Sequence, residues 1–256
     1  MTASAHTFDP ANVAVITIDE QALDEQLIVG FNSHDARSRP FNLLRTQLAQ
    51  FIEEAEAKLI GITSATPAAG KTFLSGNLAA ALSQVEDRKV ILCDFDLRRG
   101  SILSRFPAEI PIDLGMYLRG EEEDWTKCVY RVNDTGLYLM PSIASMKGSS
   151  ELLSGSRFNA LIESLRALPD EYLVICDLPP VFANDDAMLC VREIDGYMLV
   201  VDHGQTTKGQ VTEALALLQP ATCIGTILNR YQGGFADDYG YGYGDPYGLK
   251  EYGKKK

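Results

Sequence analysis

The chain has 256 residues, a formal charge of −12 and 46% hydrophobic residues, enough for a full core in one large α/β domain with tails or in two small domains. The acidic balance argues against a nucleic-acid surface, which needs clustered Lys and Arg to neutralise phosphates, so no nucleic-acid partner is expected. No apolar run approaches ~18 residues and no basic stretch precedes an apolar one near the start, so the expectation is a soluble, cytoplasmic protein without a membrane span.

Residues 1–36 carry one strand-like run, Val13 to Ile18, and then the acidic stretch Asp19 to Asp24. They are read as an N-terminal extension that packs loosely or stays mobile, ahead of a main domain at 37–232. From Pro40 to Ala57, Phe41, Leu44, Leu48, Phe51 and Ile52 recur at helical spacing. Leu59 to Thr63 is an apolar, β-branched run of strand length. A small-residue loop, Ser64 to Gly70, and a helical pattern from Lys71 to Val85 follow it. Lys89 to Asp94 predicts a second buried strand, Gly136 to Pro141 a third, Tyr172 to Asp177 a fourth, Gly196 to Asp202 a fifth and Cys223 to Leu228 a sixth. Ser149 to Leu168 and Val211 to Leu218 predict helices. Residues 101–135 give no clear element, and the acidic run Glu121 to Asp124 reads as a solvated loop, with Trp125 beside it as packing. Near-continuous apolar strands alternating with helices predict an α/β fold, a mostly parallel sheet covered on both faces.

Strand, small-residue loop, Lys-Thr and helix form the layout of a phosphate-binding P-loop. Backbone N–H groups at the loop and helix start lack carbonyl partners and point at an anion. Lys71 would reach the outer phosphates and the Thr72 hydroxyl would ligate Mg²⁺. Ala65 stands where the first glycine of the motif belongs. Asp177 ends a hydrophobic strand, as expected of a carboxylate that holds Mg²⁺ directly or through water. Asp94 and Asp96, two residues apart at another strand end, face one side if the chain stays extended. Such a pair suits a hard cation or a base that accepts a hydroxyl proton. The plainer reading is a turn-forming acidic pair compensated by Arg98 and Arg99. His6, His34 and His203 are scattered, and Cys93, Cys128, Cys176, Cys190 and Cys223 show no C-x-x-C spacing, which suits reduced thiols. From residue 233 the sequence is GGFADDYGYGYGDPYGLKEYGKKK, a flexible tail by composition, with repeated phenols on glycine-rich chain.

These motifs together resemble the bacterial tyrosine kinases of capsular and exopolysaccharide synthesis. Thr63 to Thr72 resembles the Walker A loop. Ile91 to Arg99 resembles the second acidic motif that marks the family, and Leu173 to Pro180 its Walker B. Glu151-Leu152-Leu153-Ser154 and Gly225 to Asn229 also fit, and the likeness runs from roughly Leu27 to Arg230, completed by the tail. The resemblance implies a P-loop ATPase core and MgATP-dependent transfer of the γ-phosphoryl group to tail tyrosines, mostly between neighbouring subunits. It implies catalytic roles for Lys71, Asp94, Asp96 and Asp177, with Asp94 the favoured base and Asp96 supporting. ATP contacts fall on Thr66, Pro67, Ala68, Ala69, Gly70, Lys71, Thr72, Phe73, Asn229 and Arg230, with Asn229 reading adenine, and Mg²⁺ on Thr72, Asp94 and Asp177. The acceptors would be Tyr239, Tyr241, Tyr243, Tyr247 and Tyr252. The implied partners are a membrane-embedded polysaccharide co-polymerase on a separate chain and further copies of this chain, at the inner membrane through that partner.

Two positions depart from the family pattern. Ala68 replaces a loop glycine, and its methyl would be tolerated only at negative φ. The ring-forming Glu-x-x-Arg-x-x-Arg helix reads Arg39-x-x-Asn42-x-x-Arg45, in which only the last arginine is retained. Two further functions compete with the kinase: an ATP-binding regulatory module without catalysis, and a positioning ATPase of the partition and division-site type. The latter carries a lysine where this chain has Thr66.

Overall fold

The computed structural model describes residues 7–143 and 147–231. The strands are β1 (Ala14–Ile16), β2 (Leu59–Ser64), β3 (Lys89–Asp94), β4 (Tyr130–Val132), β5 (Leu137–Met140), β6 (Tyr172–Asp177), β7 (Gly196–Asp202) and β8 (Cys223–Asn229). They form one sheet in the order β1-β4-β5-β3-β6-β2-β7-β8. Six strands run parallel, β4 is antiparallel to β5, and β1 runs parallel to β4. The helices are α1 (Glu20–Glu25), α2 (Arg39–Ala55), α3 (Lys71–Leu82), α4 (Leu114–Arg119), α5 (Ser149–Leu153), α6 (Ser156–Arg166), α7 (Asp186–Val191) and α8 (Lys208–Leu217).

Side chains alternate across each central strand and so feed two apolar layers. Leu59, Ile91, Val174 and Cys176 join Phe158, Leu161 and Leu165 of α6 on one face. Ile60, Ile62, Leu92 and Ile175 meet Leu74 and Leu78 of α3 on the other. Because both faces are covered, β2 and β6 are buried at every residue, which is why they read as unbroken apolar runs. No helix among the described residues is long and apolar enough to cross a membrane.

Three expectations change. The stretch up to residue 36 does not pack loosely where it is described. Val15 and Ile16 pair with β4, and Ile16, Ile18, Leu23, Ile28 and Val29 are buried. Fully buried Asn77 of α3 fastens this segment: its Oδ1 accepts from the Val29 and Gly30 N–H groups, and its Nδ2 donates to the Leu27 carbonyl. Second, the expected helix over 149–168 breaks into α5 and α6. Gly155 there has extended backbone, and a Cβ on it would lie 3.2 Å from the Leu152 carbonyl. Third, residues 101–135 are not featureless, since they supply α4 and β4. Trp125 is buried and stacks on Phe8, ring centroids 5.7 Å apart.

In α2, Arg45 turns inward and donates to the Ala81 carbonyl at the end of α3, 3.0 Å away. The retained arginine of the ring-forming pattern therefore bonds within its own subunit.

Candidate active site

Every central strand delivers its carboxyl end to one edge of the sheet, where ligands of open α/β folds bind. From the end of β2 the chain enters the loop 65–70, and the Thr63 hydroxyl donates to the Pro179 carbonyl at 2.7 Å, fixing the exit of β2 to that of β6. Gly70, just before α3, has φ +96°, and a Cβ there would lie 2.1 Å from Asn229 Nδ2. Glycine is required twice, by its left-handed backbone and by the approach of Asn229. Asn229 also donates to the Ala69 carbonyl at 2.8 Å, so the end of β8 ties down the loop. The Asn229 amide therefore holds the loop in this form, with its Oδ1 accepting from the Arg230 N–H.

Ala68 has φ +62°, so the negative angle that would admit its methyl without strain is not adopted. The loop keeps the glycine-type conformation and carries the methyl in it, at a cost in backbone strain.

Lys71 opens α3 and is buried, its Nζ 3.9 Å from Asp96 Oδ2. The next residue, Thr72, donates its hydroxyl to Asp177 Oδ2 at 2.6 Å, and Ser75 donates to Asp177 Oδ1 at 3.1 Å. Asp94 and Asp177 are direct partners across the β3–β6 pair, both fully buried. Asp94 Oδ2 accepts from the Ser101 and Ile102 N–H groups at 2.8 and 3.1 Å, while its Oδ1 is buried without a partner. Burial pushes the Asp94 carboxyl well above the usual carboxylate range, and the Asp177 charge beside it adds to the shift. Burial also raises Asp177, against the pull of Lys71 and the Thr72 hydroxyl.

Two facing carboxylates, one of them with an unpartnered oxygen, and a hydroxyl are hard donors on an oxygen-only site, the chemistry of Mg²⁺. Among the described residues no three His, Cys, Asp or Glu side chains form a closed cage.

The two acids of the DFD segment do different things. Asp94 ends β3 and lies beneath the surface. Asp96 lines a cleft of about 280 Å³ together with Gly70, Lys71, Arg99, Ser101 and Arg105. Burial raises the Asp96 carboxyl, and Lys71 and Arg99 partly offset it. A larger hollow of about 770 Å³ adjoins, bordered by Thr66, Pro67, Ala68, Asp202 and His203. Arg230 borders both hollows, pairing with Asp202 Oδ2 at 2.7 Å. Phe73 packs against Phe41 and also borders the smaller cleft.

The expected residues Thr66 to Phe73, Asp94, Asp96, Asp177, Asn229 and Arg230 thus converge on one end of the sheet. Tyr239, Tyr241, Tyr243, Tyr247 and Tyr252 lie outside the described residues. Sequence reasoning missed Ser101, whose hydroxyl is 2.6 Å from that of Thr72. It also missed Arg105, Asp202 and Asp186. Asp186 is fully buried and accepts from the Ser149, Ser150 and Asn184 side chains and from Arg98 Nε at 3.1 Å. Only the acidic pair next to two arginines hinted at this network.

No family model matches the chain. Over 201 residues it is 34% identical to the tyrosine-protein kinase Etk of Escherichia coli strain K12, an alignment that takes in 77% of this chain and 27% of Etk. The chain thus spans about a quarter of the length of that relative. It is 31% identical over 218 residues to the tyrosine-protein kinase YwqD of Bacillus subtilis strain 168, covering 84% of this chain and 87% of YwqD. The solved kinase domain of Escherichia coli ETK superposes with a TM-score of 0.72 at 30% identity, over 87% of this chain and 90% of that domain. The septum site-determining protein MinD of Pyrococcus horikoshii, solved with Mg-ADP, gives a TM-score of 0.58 at 23% identity over 68% of this chain and 70% of MinD, a likeness of fold alone.

Proposed function

Because the chain belongs to the bacterial tyrosine-protein kinase family, we propose that it transfers the γ-phosphoryl group of ATP to tyrosines of its own C-terminal tail. The observation that carries this reading is the meeting of Lys71 with Asp96 beside the Thr72–Asp177 pair. On this reading Lys71 is the phosphate cation, Thr72 and Asp177 the metal-holding pair, and Asp96 a largely buried carboxylate at the wall of the cleft. The loop N–H groups and Lys71 would hold the phosphates, and Asn229 and Arg230 would bound the nucleoside side. Thr72, Asp94 and Asp177 would hold Mg²⁺, which when bound neutralises charge on the phosphates.

Transfer forms a bond from the tyrosine oxygen to the γ-phosphorus and breaks the bond from that phosphorus to the bridging oxygen, and ADP leaves with the electron pair. The phenolic proton passes to a carboxylate. Asp96 is favoured over Asp94 for that role, because Asp96 borders the open cleft and Asp94 is enclosed and held by two backbone N–H groups. The acceptors are Tyr239, Tyr241, Tyr243, Tyr247 and Tyr252, on tails offered by neighbouring copies. Each phosphate adds about −1.5 to −2 charges and would push subunits apart. The setting is exopolysaccharide or capsule assembly and export, regulated through a membrane-embedded co-polymerase on a separate chain that brings the kinase to the inner membrane.

Incubation with MgATP followed by phosphotyrosine mass spectrometry tests the reading. The wild type should label its tail, Lys71→Met should not, and a variant ending at Gln232 should bind ATP yet carry no label. An unlabelled wild type, with the co-polymerase supplied, refutes it.

A further inference from the structure

The cleft has a charge pattern that the phosphate chemistry alone does not use. Four cations, Lys71, Arg99, Arg105 and Arg230, border it, against the single carboxylate of Asp96. Three of the four are committed. Lys71 faces Asp96, Arg230 pairs with Asp202, and Arg105 donates to the Gln26 carbonyl at 3.1 Å while lying over the Phe73 ring. Arg99 is different. It is exposed, and among the described residues no hydrogen bond or ion pair holds its guanidinium, which borders the cleft with Asp96.

The backbone explains why two adjacent arginines behave so differently. The Arg99 and Gly100 N–H groups both donate to the Asp96 carbonyl, at 3.0 and 2.8 Å, closing a turn immediately after the acid. That turn sends Arg98 away to Ser149 and buried Asp186, and leaves Arg99 at the rim of the cleft beside Asp96. Lys71, Thr72 and the loop N–H groups occupy the phosphate side. Arg99 follows the carboxylate that would take the phenol's proton, so the peptide carrying that phenol must pass it.

We infer that Arg99 selects the acceptor, favouring tyrosines with carboxylates close before them in the chain; this rests on the kinase reading given above. The tail offers a graded set of such sites. Asp237 and Asp238 immediately precede Tyr239, Glu251 precedes Tyr252, and Tyr241 has glycine on both sides. A guanidinium free of intramolecular partners meets a carboxylate without first breaking another bond, and its planar fork suits two oxygens. Tyr239 is therefore the preferred first acceptor, and Tyr241 lags.

The test is a time course of site-resolved mass spectrometry on the full chain with MgATP. Tyr239 should label about three- to fivefold faster than Tyr241, the ratio expected of one exposed charge pair, and added salt should narrow the gap as screening grows. The gap should close in Arg99→Ala and in the double variant Asp237→Asn, Asp238→Asn, and persist in Arg99→Lys. Equal initial rates at Tyr239 and Tyr241 in the wild type overturn the inference alone. So does Arg99→Ala if it raises the KM for ATP but leaves the site preference intact, which would put Arg99 on the phosphate side. Absence of phosphotyrosine at every site would instead sink the kinase reading, and this selectivity with it.

Discussion

Ala68 offers a direct measurement of the strain held in the phosphate loop. Its φ of +62° lies in the left-handed region, where an L-residue with a Cβ sits about 1–2 kcal/mol above its preferred conformations. Its side chain is exposed, so removing the methyl sacrifices no packing. The counterweight lies in the unfolded chain, where glycine has more freedom to lose, by about 0.4–1 kcal/mol. The difference predicts that Ala68→Gly stabilises the protein by about 0.5–1 kcal/mol, which at this size is a rise in Tm of roughly 1–4 °C. Ala68→Val should do the reverse, because a β-branched side chain fits the left-handed region worse than alanine does. Ala69→Gly is the control. Ala69 is 1% exposed and outside the left-handed set, so the substitution should destabilise by about 1 kcal/mol through lost burial and added chain freedom. Thermal unfolding and denaturant midpoints in the absence of nucleotide measure all three. If Ala68→Gly lowers the midpoint while Ala68→Val leaves it unchanged, the free loop does not hold the positive angle and the reasoning fails.

The Gly70–Asn229 contact should show as non-additivity. Gly70→Ala combines strain at φ +96° with a Cβ 2.1 Å from the Asn229 amide, and should cost about 1–3 kcal/mol and weaken ATP binding at least about tenfold. Asn229→Ala added to it should cost less than it does in the wild type, because the collision is removed, and a denaturant double-mutant cycle reads that difference. The start of β2 carries a pH dependence. Burial works against the Asp195 carboxylate, but N–H bonds from Leu59 and Lys58 and the Arg166 guanidinium hold it below its ordinary value. A carboxylate with a depressed folded pKa contributes stability above its unfolded pKa and loses it as pH falls through the folded one. Asp195→Ala should therefore cost about 1–3 kcal/mol near neutral pH, and the gap to wild type should shrink below about pH 4. A gap constant from about pH 7 to pH 3 would refute that account.

What the sequence disclosed follows from how each element is buried. Strands β2, β3, β6 and β7 are enclosed on both faces, so their apolar runs are nearly unbroken and their boundaries could be read closely. Strand β1 lies inside the strand-like run Val13 to Ile18, whereas β4, three residues near the far edge of the sheet, is too short for any period to emerge. The N-terminal segment reads as loosely packed because, beyond Val13 to Ile18, its apolar residues have no regular spacing. Its place is set by Asn77, a polar residue inside a helix whose side chain makes four hydrogen bonds to backbone, three to this segment and one to Phe73 of its own helix. The same division runs through the site. Lys71, Thr72, Asp94, Asp96 and Asp177 were legible because strand ends and a helix start fix them. Ser101 and Arg105 were not, because irregular chain after β3 folds onto the loop with no pattern to announce it, and Asp202, though a strand end, shows its place only through its pairing with Arg230. The sign of φ at Ala68 was not legible for a related reason. An alanine suggests the backbone it prefers, whereas here the loop imposes the conformation and the side chain conforms.

Net charge misleads in the same way at a different scale. A chain of formal charge −12 should repel both a nucleoside triphosphate and an acidic peptide at long range. That repulsion is screened over about 8–10 Å at physiological salt, while a cleft lined by cations acts within a few ångströms. The two effects therefore separate by distance. On the proposed reading, an acidic exterior would slow encounter at low salt, and Lys71, Arg99, Arg105 and Arg230, which line the cleft, would govern binding once inside. Removing acidic residues far from the cleft should raise association rates at low ionic strength without altering which tyrosine is chosen. Removing Arg99 should alter the choice with little effect on encounter. A field and a contact have different reach, so net charge is evidence about approach and says little about what the cleft accepts.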